Sequence, residues 1–320
     1  MKILFIGKNH SQGLKDSDPS SLSSVARSQG HSIAKSLGEL PDIVICVDFE
    51  KSALLAVKAA RKISIPSVLI INEPTVVIPQ HSKASVRRVF DKVIEVGRPD
   101  SLPVLKWPQT WVNPNSNSQR LDRAVVVNAD KWSFVRGQLY WLRAAVVSSS
   151  QNTDTYGHGW DRPRSVRFAH RVHDFIRALS SFTGLSFKGV RFALATPKSL
   201  RGSADDKIQV MSQYKVALVI ENGEELMTEK LFDAWFAGCI PVYVGPDVGS
   251  LGLPSSLFIR CQGRTVEEVS ARITEALQID HGVYLRNLQV FLADSRTRDW
   301  AAPFAIQKVL DAAIEAVKTG

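Results

Sequence analysis

Short apolar runs alternate with helical patterns over the first hundred residues. The apolar runs are Ile3–Ile6, Ile43–Val47, Val68–Ile71 and Val93–Val96. Helical periodicity lies between them, over Leu22–Leu37 and Ser52–Lys62. Strands that are apolar on both faces and separated by helices are typical of a parallel sheet covered by helices. The pattern therefore predicts an α/β domain.

A stretch rich in Pro and Asn, from 101 to 123, interrupts this alternation, which then restarts. The predicted strands of the second half are Ala124–Val127, Lys215–Ile220, Ile240–Val244 and Leu257–Ile259, and the predicted helices are Arg136–Val147, Ser165–Phe182 and Glu229–Ala237. We expect two Rossmann-like parallel-sheet domains, 1–115 and 116–300, that face each other across a cleft. A C-terminal helix within 301–320 is expected to pack back on the first domain.

Polar residues follow one buried strand of the second domain directly. Val216–Ile220 ends in Glu221–Asn222, and a helix is predicted to begin with Thr228 as its N-cap and Glu229 and Lys230 in its first turn. Free N–H groups at a helix start and a lysine can together bind a diphosphate without a metal. Thr-Glu-Lys is also a common solvent-exposed start of a helix. The residues alone leave both interpretations open.

The order of residues in this segment resembles the α-1,3-fucosyltransferase family, glycosyltransferase family 10, in its bacterial form. The matching positions are Tyr214, Lys215, Glu221, Asn222, Thr228, Glu229, Lys230, Pro241 and Gly245. Other segments similar to the family are Asn72–Pro79, Leu105–Gln109, Arg136–Tyr140 and Asp154–Trp160. The resemblance covers the second domain almost throughout and the first domain more thinly.

The resemblance implies a GT-B fold and an inverting transfer of fucose from GDP-fucose to a glycan hydroxyl, with no metal and no other cofactor. It implies that Arg136 and Lys230 hold the diphosphate and that Glu229 binds the ribose. Arg143 lies two helical turns beyond Arg136 and is the competitor for the arginine role.

The resemblance also implies that Glu221 and Asn222 line the donor pocket. The family usually has an aromatic residue two positions before the threonine, whereas here Leu226 and Met227 precede Thr228. This departure bears on the identity of the donor more than on the binding of its phosphates.

Glu73 is the predicted catalytic base. The strand Val68–Ile71 runs directly into Asn72 and Glu73, and Pro74 biases Glu73 toward an extended conformation. An inverting displacement requires a base on the acceptor side of the cleft, and Glu73 matches the base proposed for the family. A loop glutamate without a catalytic role is the alternative. Asp48 is a reserve carboxylate, for which we favour the role of a helix N-cap.

The net charge of +9 favours anionic partners. Because the basic residues are spread along the chain instead of forming a run interleaved with aromatic residues, no nucleic-acid partner is expected. The expected partners are a nucleotide-sugar donor and a glycan or lipid-linked glycan acceptor. No apolar stretch approaches the length of a membrane span, and the N-terminus lacks the features of a signal peptide. We therefore expect a cytoplasmic protein, with contact to the anionic inner face of the membrane left open.

No metal site is expected. His170 and His173 share a face of a predicted helix but have neither an acidic residue between them nor a cysteine nearby. The loop Gly7–Gly13 lacks the ending of a phosphate-binding loop and is expected on the acceptor side, with His10 as a possible contact. The three cysteines are expected to be reduced and buried; they are Cys46, Cys239 and Cys261.

Three other functions remain open from the sequence. A transferase of the same architecture that uses another nucleotide sugar would keep the phosphate-binding residues. A non-catalytic protein that binds sugar nucleotides or glycans is the second alternative, and a nucleic-acid module is the weakest.

Overall fold

Two five-stranded parallel sheets form the framework of the computed structural model, which describes residues 1–11, 15, 18–98, 101–102, 114, 119–179 and 184–318. The first sheet has the order β2-β1-β3-β4-β5, and its strands are β1 Lys2–Ile6, β2 Ser32–Ile33, β3 Ile43–Val47, β4 Ser67–Ile71 and β5 Lys92–Glu95. The second has the order β10-β9-β8-β6-β7, and its strands are β6 Leu121–Val127, β7 Thr153–Tyr156, β8 Tyr214–Ile220, β9 Ile240–Val244 and β10 Ile259–Arg260. The predicted pair of parallel-sheet domains is confirmed.

Helices cover the faces of both sheets. Those before the second sheet are α1 Leu22–Ser28, α2 Lys51–Lys62 and α3 Ala84–Arg87. Those of the second half are α4 Tyr140–Ser149, α5 Arg164–Ala178, α6 Lys207–Met211, α7 Lys230–Phe236, α8 Val266–Gln278, α9 His281–Ala293 and α10 Ala302–Lys318. Because the strands are parallel, their carboxyl ends meet at one edge of each sheet.

The C-terminal helix belongs to the core of the first domain. Alternate residues of β3 point to opposite faces, so Val44 and Cys46 pack with α2 while Ile45 packs in the cluster that contains α1 and α10. Helix α10 contacts α1, β4 and β5, and Gln29 donates a hydrogen bond of 3.0 Å to Asp311 on α10. The chain therefore returns to its first domain at its end.

The loop after β8 links the two domains. Glu225 accepts a hydrogen bond of 2.6 Å from the backbone of Thr75 and a second one from the Thr75 hydroxyl. Arg98 forms an ion pair of 3.2 Å with the same carboxylate, and the backbone of Met227 donates to Gly97 at 2.9 Å. These contacts hold the carboxyl ends of β4 and β8 next to each other.

Two local predictions are wrong, and one strand was missed. The helix predicted over Leu22–Leu37 ends at Ser28, because Gly30 adopts a φ of +80° and the chain then enters β2. The helix predicted from Arg136 begins at Tyr140, because Gly137 has a φ of +86° and forms a turn. Strand β7 was not predicted. The segment Leu105–Gln109 and the domain boundary at 115 lie outside the described residues.

All three cysteines are free and buried. Among the described residues, no helix combines the length and the apolar character that a membrane span would need.

Asp154 anchors the edge strand β7. Its buried carboxylate accepts hydrogen bonds from Arg123 at 2.7 Å, Ser199 at 2.6 Å and the Tyr214 hydroxyl at 3.0 Å. Burial alone would raise the pKa of Asp154, but these donors outweigh it and lower the pKa to about 2. The ionised carboxylate therefore stabilises the second domain.

We expect Asp154→Asn to lower the free energy of unfolding at neutral pH by about 2 kcal/mol, because the folded-state pKa lies below the unfolded value. The stabilisation is present above the unfolded pKa and is lost as the pH falls toward about 2, so parent and variant should converge there. Urea unfolding at several pH values measures this difference. Asp122→Asn, at an exposed position of β6, is the control; equal effects of the two substitutions would contradict the account.

Candidate active site

A cavity of about 170 Å³ lies where the carboxyl ends of β4, β6 and β8 meet. The first domain contributes Asn72 and Glu73 to its wall. The second domain contributes residues from the loops after β6 and β8 and from α4 and α7; they are Asn128, Ala129, Lys131, Arg143, Asn222, Thr228, Glu229 and Lys230. The cavity therefore lies between the domains, where the sequence predicted the site.

Glu221 holds Lys230 at the edge of this cavity. Its fully buried carboxylate accepts hydrogen bonds from the Thr228 backbone at 2.9 Å and from the Thr228 hydroxyl at 2.7 Å. Lys230 Nζ lies 3.1 Å from the same carboxylate and donates to Thr228 Oγ1 at 2.7 Å. An ammonium group has three N–H donors, so one is left for a ligand. Glu221 thus positions Lys230 from behind the cavity wall instead of lining the cavity itself.

Thr228 is not the N-cap of α7. The cap position is Glu229, and no side chain caps the helix there. The Thr228 hydroxyl instead donates to Glu221 and accepts from Lys230 Nζ. Glu229 is half-buried and lines the cavity. The predicted cation at this helix start is present, whereas the predicted cap is not.

Arg143, and not Arg136, is the arginine at the cavity. Its side chain is buried, and its Nη2 donates to the carbonyl oxygen of Ile220 at 2.6 Å. The Nε of Arg143 has no hydrogen-bond partner among the described residues. Burial lowers the pKa of Arg143, while Tyr140 and Glu221 favour its charged form. The guanidinium is therefore a fixed, desolvated donor at the cavity wall.

Arg136 lies elsewhere. It is exposed in the turn before α4, and its backbone donates to Gly184 at 3.1 Å. Gln138 accepts a hydrogen bond of 3.1 Å from the Trp141 backbone, so the helix starts after Arg136. Sequence spacing could not separate the two arginines, because both were assigned to one helix.

Asp48 fixes the backbone that carries Glu73. The fully buried Asp48 carboxylate accepts hydrogen bonds of 2.8 Å from the backbones of both Asn72 and Glu73, and one of 2.6 Å from Asn9. The expected role of Asp48 as a helix N-cap is wrong, since Glu50 occupies the N-cap position of α2. The aspartate is instead a positioning residue for Glu73.

His81 supports the same loop from the other side. Its Nε2 accepts a hydrogen bond of 3.0 Å from the Phe49 backbone, so its Nδ1 carries the proton and donates to the Glu73 carbonyl oxygen at 3.0 Å. Burial lowers the pKa of His81, although the nearby Asp48 opposes this shift. A neutral histidine therefore completes the support of Glu73, whose side chain is half-buried and faces the cavity.

A second cavity of about 330 Å³ adjoins the first. It shares Glu73, Lys131 and Asn222 with the first cavity. Its remaining wall comes from the two domains and from α5, and includes Lys8, Val77, Trp132, Tyr140, His170, His173 and Arg177. Glu73 therefore lines both cavities.

The loop after β1 reaches the second cavity through Lys8. His10 instead bonds the Gly7 carbonyl oxygen at 2.6 Å, and Gly13 lies outside the described residues. His170 and His173 line the same cavity, and the described part of the chain contains no group of three or more potential metal ligands.

Asn128 and Lys131 were missed by the sequence reasoning. Both follow β6, in the stretch Asn128–Lys131 directly after the apolar run. The rule that selected Glu73 and Asn222, a polar side chain at the carboxyl end of a buried strand, would have selected them as well.

No family model and no curated protein sequence matches this chain. Its structure does match solved structures. An α1,3-fucosyltransferase superposes with a TM-score of 0.56 at 14% identity, over 100% of this chain and 90% of that chain. A structure of an α1,3-fucosyltransferase with GDP superposes with a TM-score of 0.55 at 13% identity, over 100% of this chain and 90% of that chain. Anabaena HepE in complex with UDP and glucose superposes with a TM-score of 0.55 at 11% identity, over 99% of this chain and 100% of that chain.

This chain has a GT-B fold. The fold predicted from the sequence is thereby confirmed. Because the identities are low, the likeness concerns the fold, and the chemistry must be argued from the cavity residues.

We expect Asp48→Ala to lower the free energy of unfolding by about 2–4 kcal/mol, because two buried backbone N–H groups, those of Asn72 and Glu73, lose their acceptor. Urea denaturation followed by fluorescence measures the change. Glu50→Ala, two residues further on, is the matched control. A loss for Asp48→Ala no greater than that for Glu50→Ala would show that the Asp48 carboxylate does not hold the loop.

Proposed function

We propose that this chain is a glycosyltransferase that moves a sugar from a nucleotide diphosphate donor to a hydroxyl of a glycan, with inversion at the anomeric carbon. The observation that carries the proposal is that Glu73 lines two adjoining cavities, one of which is also lined by fixed cations. A donor in the first cavity and an acceptor in the second would meet at this carboxylate.

The first cavity suits a diphosphate. Lys230, Arg143 and Lys131 line it, and they come from three different elements. Lys230 and Arg143 are held in place by Glu221 and the Ile220 carbonyl oxygen before any ligand binds. Such preorganised cations can stabilise the negative charge that develops on a leaving diphosphate. On this argument the transfer needs no metal, and Glu229 would accept hydrogen bonds from ribose hydroxyls.

Glu73 would act as the general base. Its carboxylate takes the proton of the acceptor hydroxyl while that oxygen forms a bond to the anomeric carbon of the donor. The bond between the anomeric carbon and the diphosphate oxygen breaks, and its electron pair leaves with the nucleotide. Asp48 and His81 hold the backbone of Glu73 during this step.

The second cavity would receive the acceptor. It combines the apolar and aromatic groups of Val77, Trp132 and Tyr140 with the polar groups of His170 and His173. Sugar rings are commonly bound by such a mixture of aromatic faces and hydrogen-bonding groups. We propose a glycan or a lipid-linked glycan as the acceptor class.

GDP-fucose is the proposed donor, because the ordered residues from Tyr214 to Gly245 resemble the α-1,3-fucosyltransferases and because structures of that kind of enzyme share the fold. A second candidate is another nucleotide sugar. The buried pair Leu226 and Met227 stands where an aromatic residue would be expected, and HepE, with UDP and glucose, shares the fold equally well. Calorimetric titration with GDP, GDP-fucose, UDP and UDP-glucose separates the two.

We expect Glu73→Gln to lower kcat by about 10²–10⁴-fold while the affinity for the donor stays within about twofold. The reason is that the amide cannot accept the proton although it keeps the size of the carboxylate. Product analysis with radiolabelled donor measures kcat, and Glu50→Gln is the control. If the parent protein binds the donor but neither hydrolyses nor transfers it, the chain is a binding protein and the proposal fails.

We expect Lys230→Ala and Arg143→Lys each to raise the Kd for the nucleoside diphosphate by about 10–100-fold, since each removes charge-assisted hydrogen bonds worth about 1.5–3 kcal/mol. Arg136→Gln should leave the Kd unchanged, because Arg136 is exposed away from the cavity. Titration calorimetry measures the Kd, and circular dichroism confirms that each variant is folded. If Arg136→Gln lost binding and Arg143→Lys did not, the diphosphate would be assigned to Arg136, which would contradict the proposed site.

A further inference from the structure

The positive charge of the chain is concentrated in one segment. Between 162 and 204 the sequence contains nine Lys and Arg residues and a single acidic residue, Asp174, so this segment carries +8 of the net +9. The other 31 Lys and Arg residues are spread over the rest of the chain, where 30 acidic residues balance them. Helix α5 and the chain that follows it form this segment.

Helix α5 has its polarity reversed relative to an ordinary surface helix. Arg167 and Arg171 are buried and paired with Asp130, the former at 2.7 Å. The opposite face carries an apolar stripe at the spacing i, i+4, i+8 and i+11, and its exposed side chains are Phe168 at 59%, Val172 at 42%, Ile176 at 60% and Leu179 at 59%. Apolar side chains normally face the core, so this face is suited to a partner.

The apolar surface continues beyond the helix. The Phe187 ring, which is 56% exposed, lies 6.0 Å from the ring of Phe175 on α5, and Val190 is also exposed. Exposed cations adjoin this surface in sequence: Arg164 lies in the first turn of α5, and Lys188 and Arg191 lie next to Phe187 and Val190. An apolar stripe bordered by cations is the pattern of segments that lie in a lipid interface.

We propose that this face, the stripe Phe168–Val172–Ile176–Leu179 with its bordering cations, docks the protein on an anionic lipid bilayer. The apolar side chains enter the boundary between headgroups and acyl chains, and the cations contact the anionic headgroups. A second copy of this chain fits less well, because it would place two segments of +8 against each other. A nucleic acid would use the cations but would leave the aliphatic stripe exposed.

Helix α5 carries both the docked face and part of the wall of the second cavity. His173 and Arg177 line that cavity from a side of the helix that lies about 100–145° around its axis from the stripe. If the proposed function holds, docking would bring an acceptor carried by a membrane lipid to the helix that lines this cavity. Docking itself does not require any transfer, so it can be tested independently.

The test is co-sedimentation of the full chain with vesicles of phosphatidylcholine alone and with vesicles that also contain phosphatidylglycerol. We expect the parent to bind only the latter. Phe168→Gln with Ile176→Gln should weaken binding at least about tenfold, the effect of withdrawing two large apolar side chains from an apolar phase. Arg164→Gln with Arg191→Gln should weaken it about fivefold for each charge removed. Leu55→Gln with Val290→Gln, both 74% exposed on α2 and α9, is the matched control and should bind as the parent does.

Several outcomes would overturn the proposal. One is that the parent stays in the supernatant with anionic vesicles, and another is that the stripe variant sediments as the parent does. Light scattering that shows a dimer dispersed by the stripe variant would assign the face to a second copy. Binding of single-stranded RNA that competes with vesicles and is insensitive to the stripe variant would assign it to a nucleic acid. Transfer to a soluble acceptor should be unchanged in the stripe variant, so loss of docking and loss of the proposed activity are distinguishable.

Discussion

A buried carboxylate at the carboxyl edge of each sheet organises the site. Asp48 and Glu221 are both fully buried, and a buried charge is tolerated only where donors surround it. The loop after β4 therefore folds its backbone N–H groups onto Asp48, and the loop after β8 folds Thr228 and Lys230 onto Glu221. Because both carboxylates need donors, Glu73 of the first domain and the Lys230 ammonium group of the second domain are held at the cavity.

This arrangement assigns different tasks to carboxylates that look alike in sequence. The carboxylates of Asp48 and Glu221 form hydrogen bonds within the protein. Those of Glu73 and Glu229 are half-buried and line the cavity. Glu225 bridges the domains through Thr75 and Arg98 and keeps the two loops adjacent. Under the proposed function, positioning and chemistry are thus separated, so that the reacting groups would stay fixed while substrates enter and leave.

The strands and the cleft could be predicted because apolar runs and the polar residues after them are local signals. Glu73 and Asn222 follow from that rule, whereas Lys230 was selected as a cation at a predicted helix start and by the family resemblance. The position of Arg143 rather than Arg136 at the cavity could not be predicted from the sequence, because it depends on a turn at Gly137 and on the tertiary contact with Ile220. The roles of Asp48 and Thr228 were also hidden, since a cap and a long-range acceptor or donor have the same sequence appearance. The reversed face of α5 depends on Asp130, which is distant in sequence.

The central claim is that a nucleoside diphosphate lies between Glu73 and the pair Lys230 and Arg143. A crystal structure with GDP-fucose tests it most directly. The account predicts that the diphosphate oxygens lie within hydrogen-bond distance of Lys230 Nζ and the Arg143 guanidinium, with the anomeric carbon turned toward Glu73. A diphosphate bound in the second cavity, or held by Arg136 with Lys230 still paired only to Glu221 and Thr228, would contradict it.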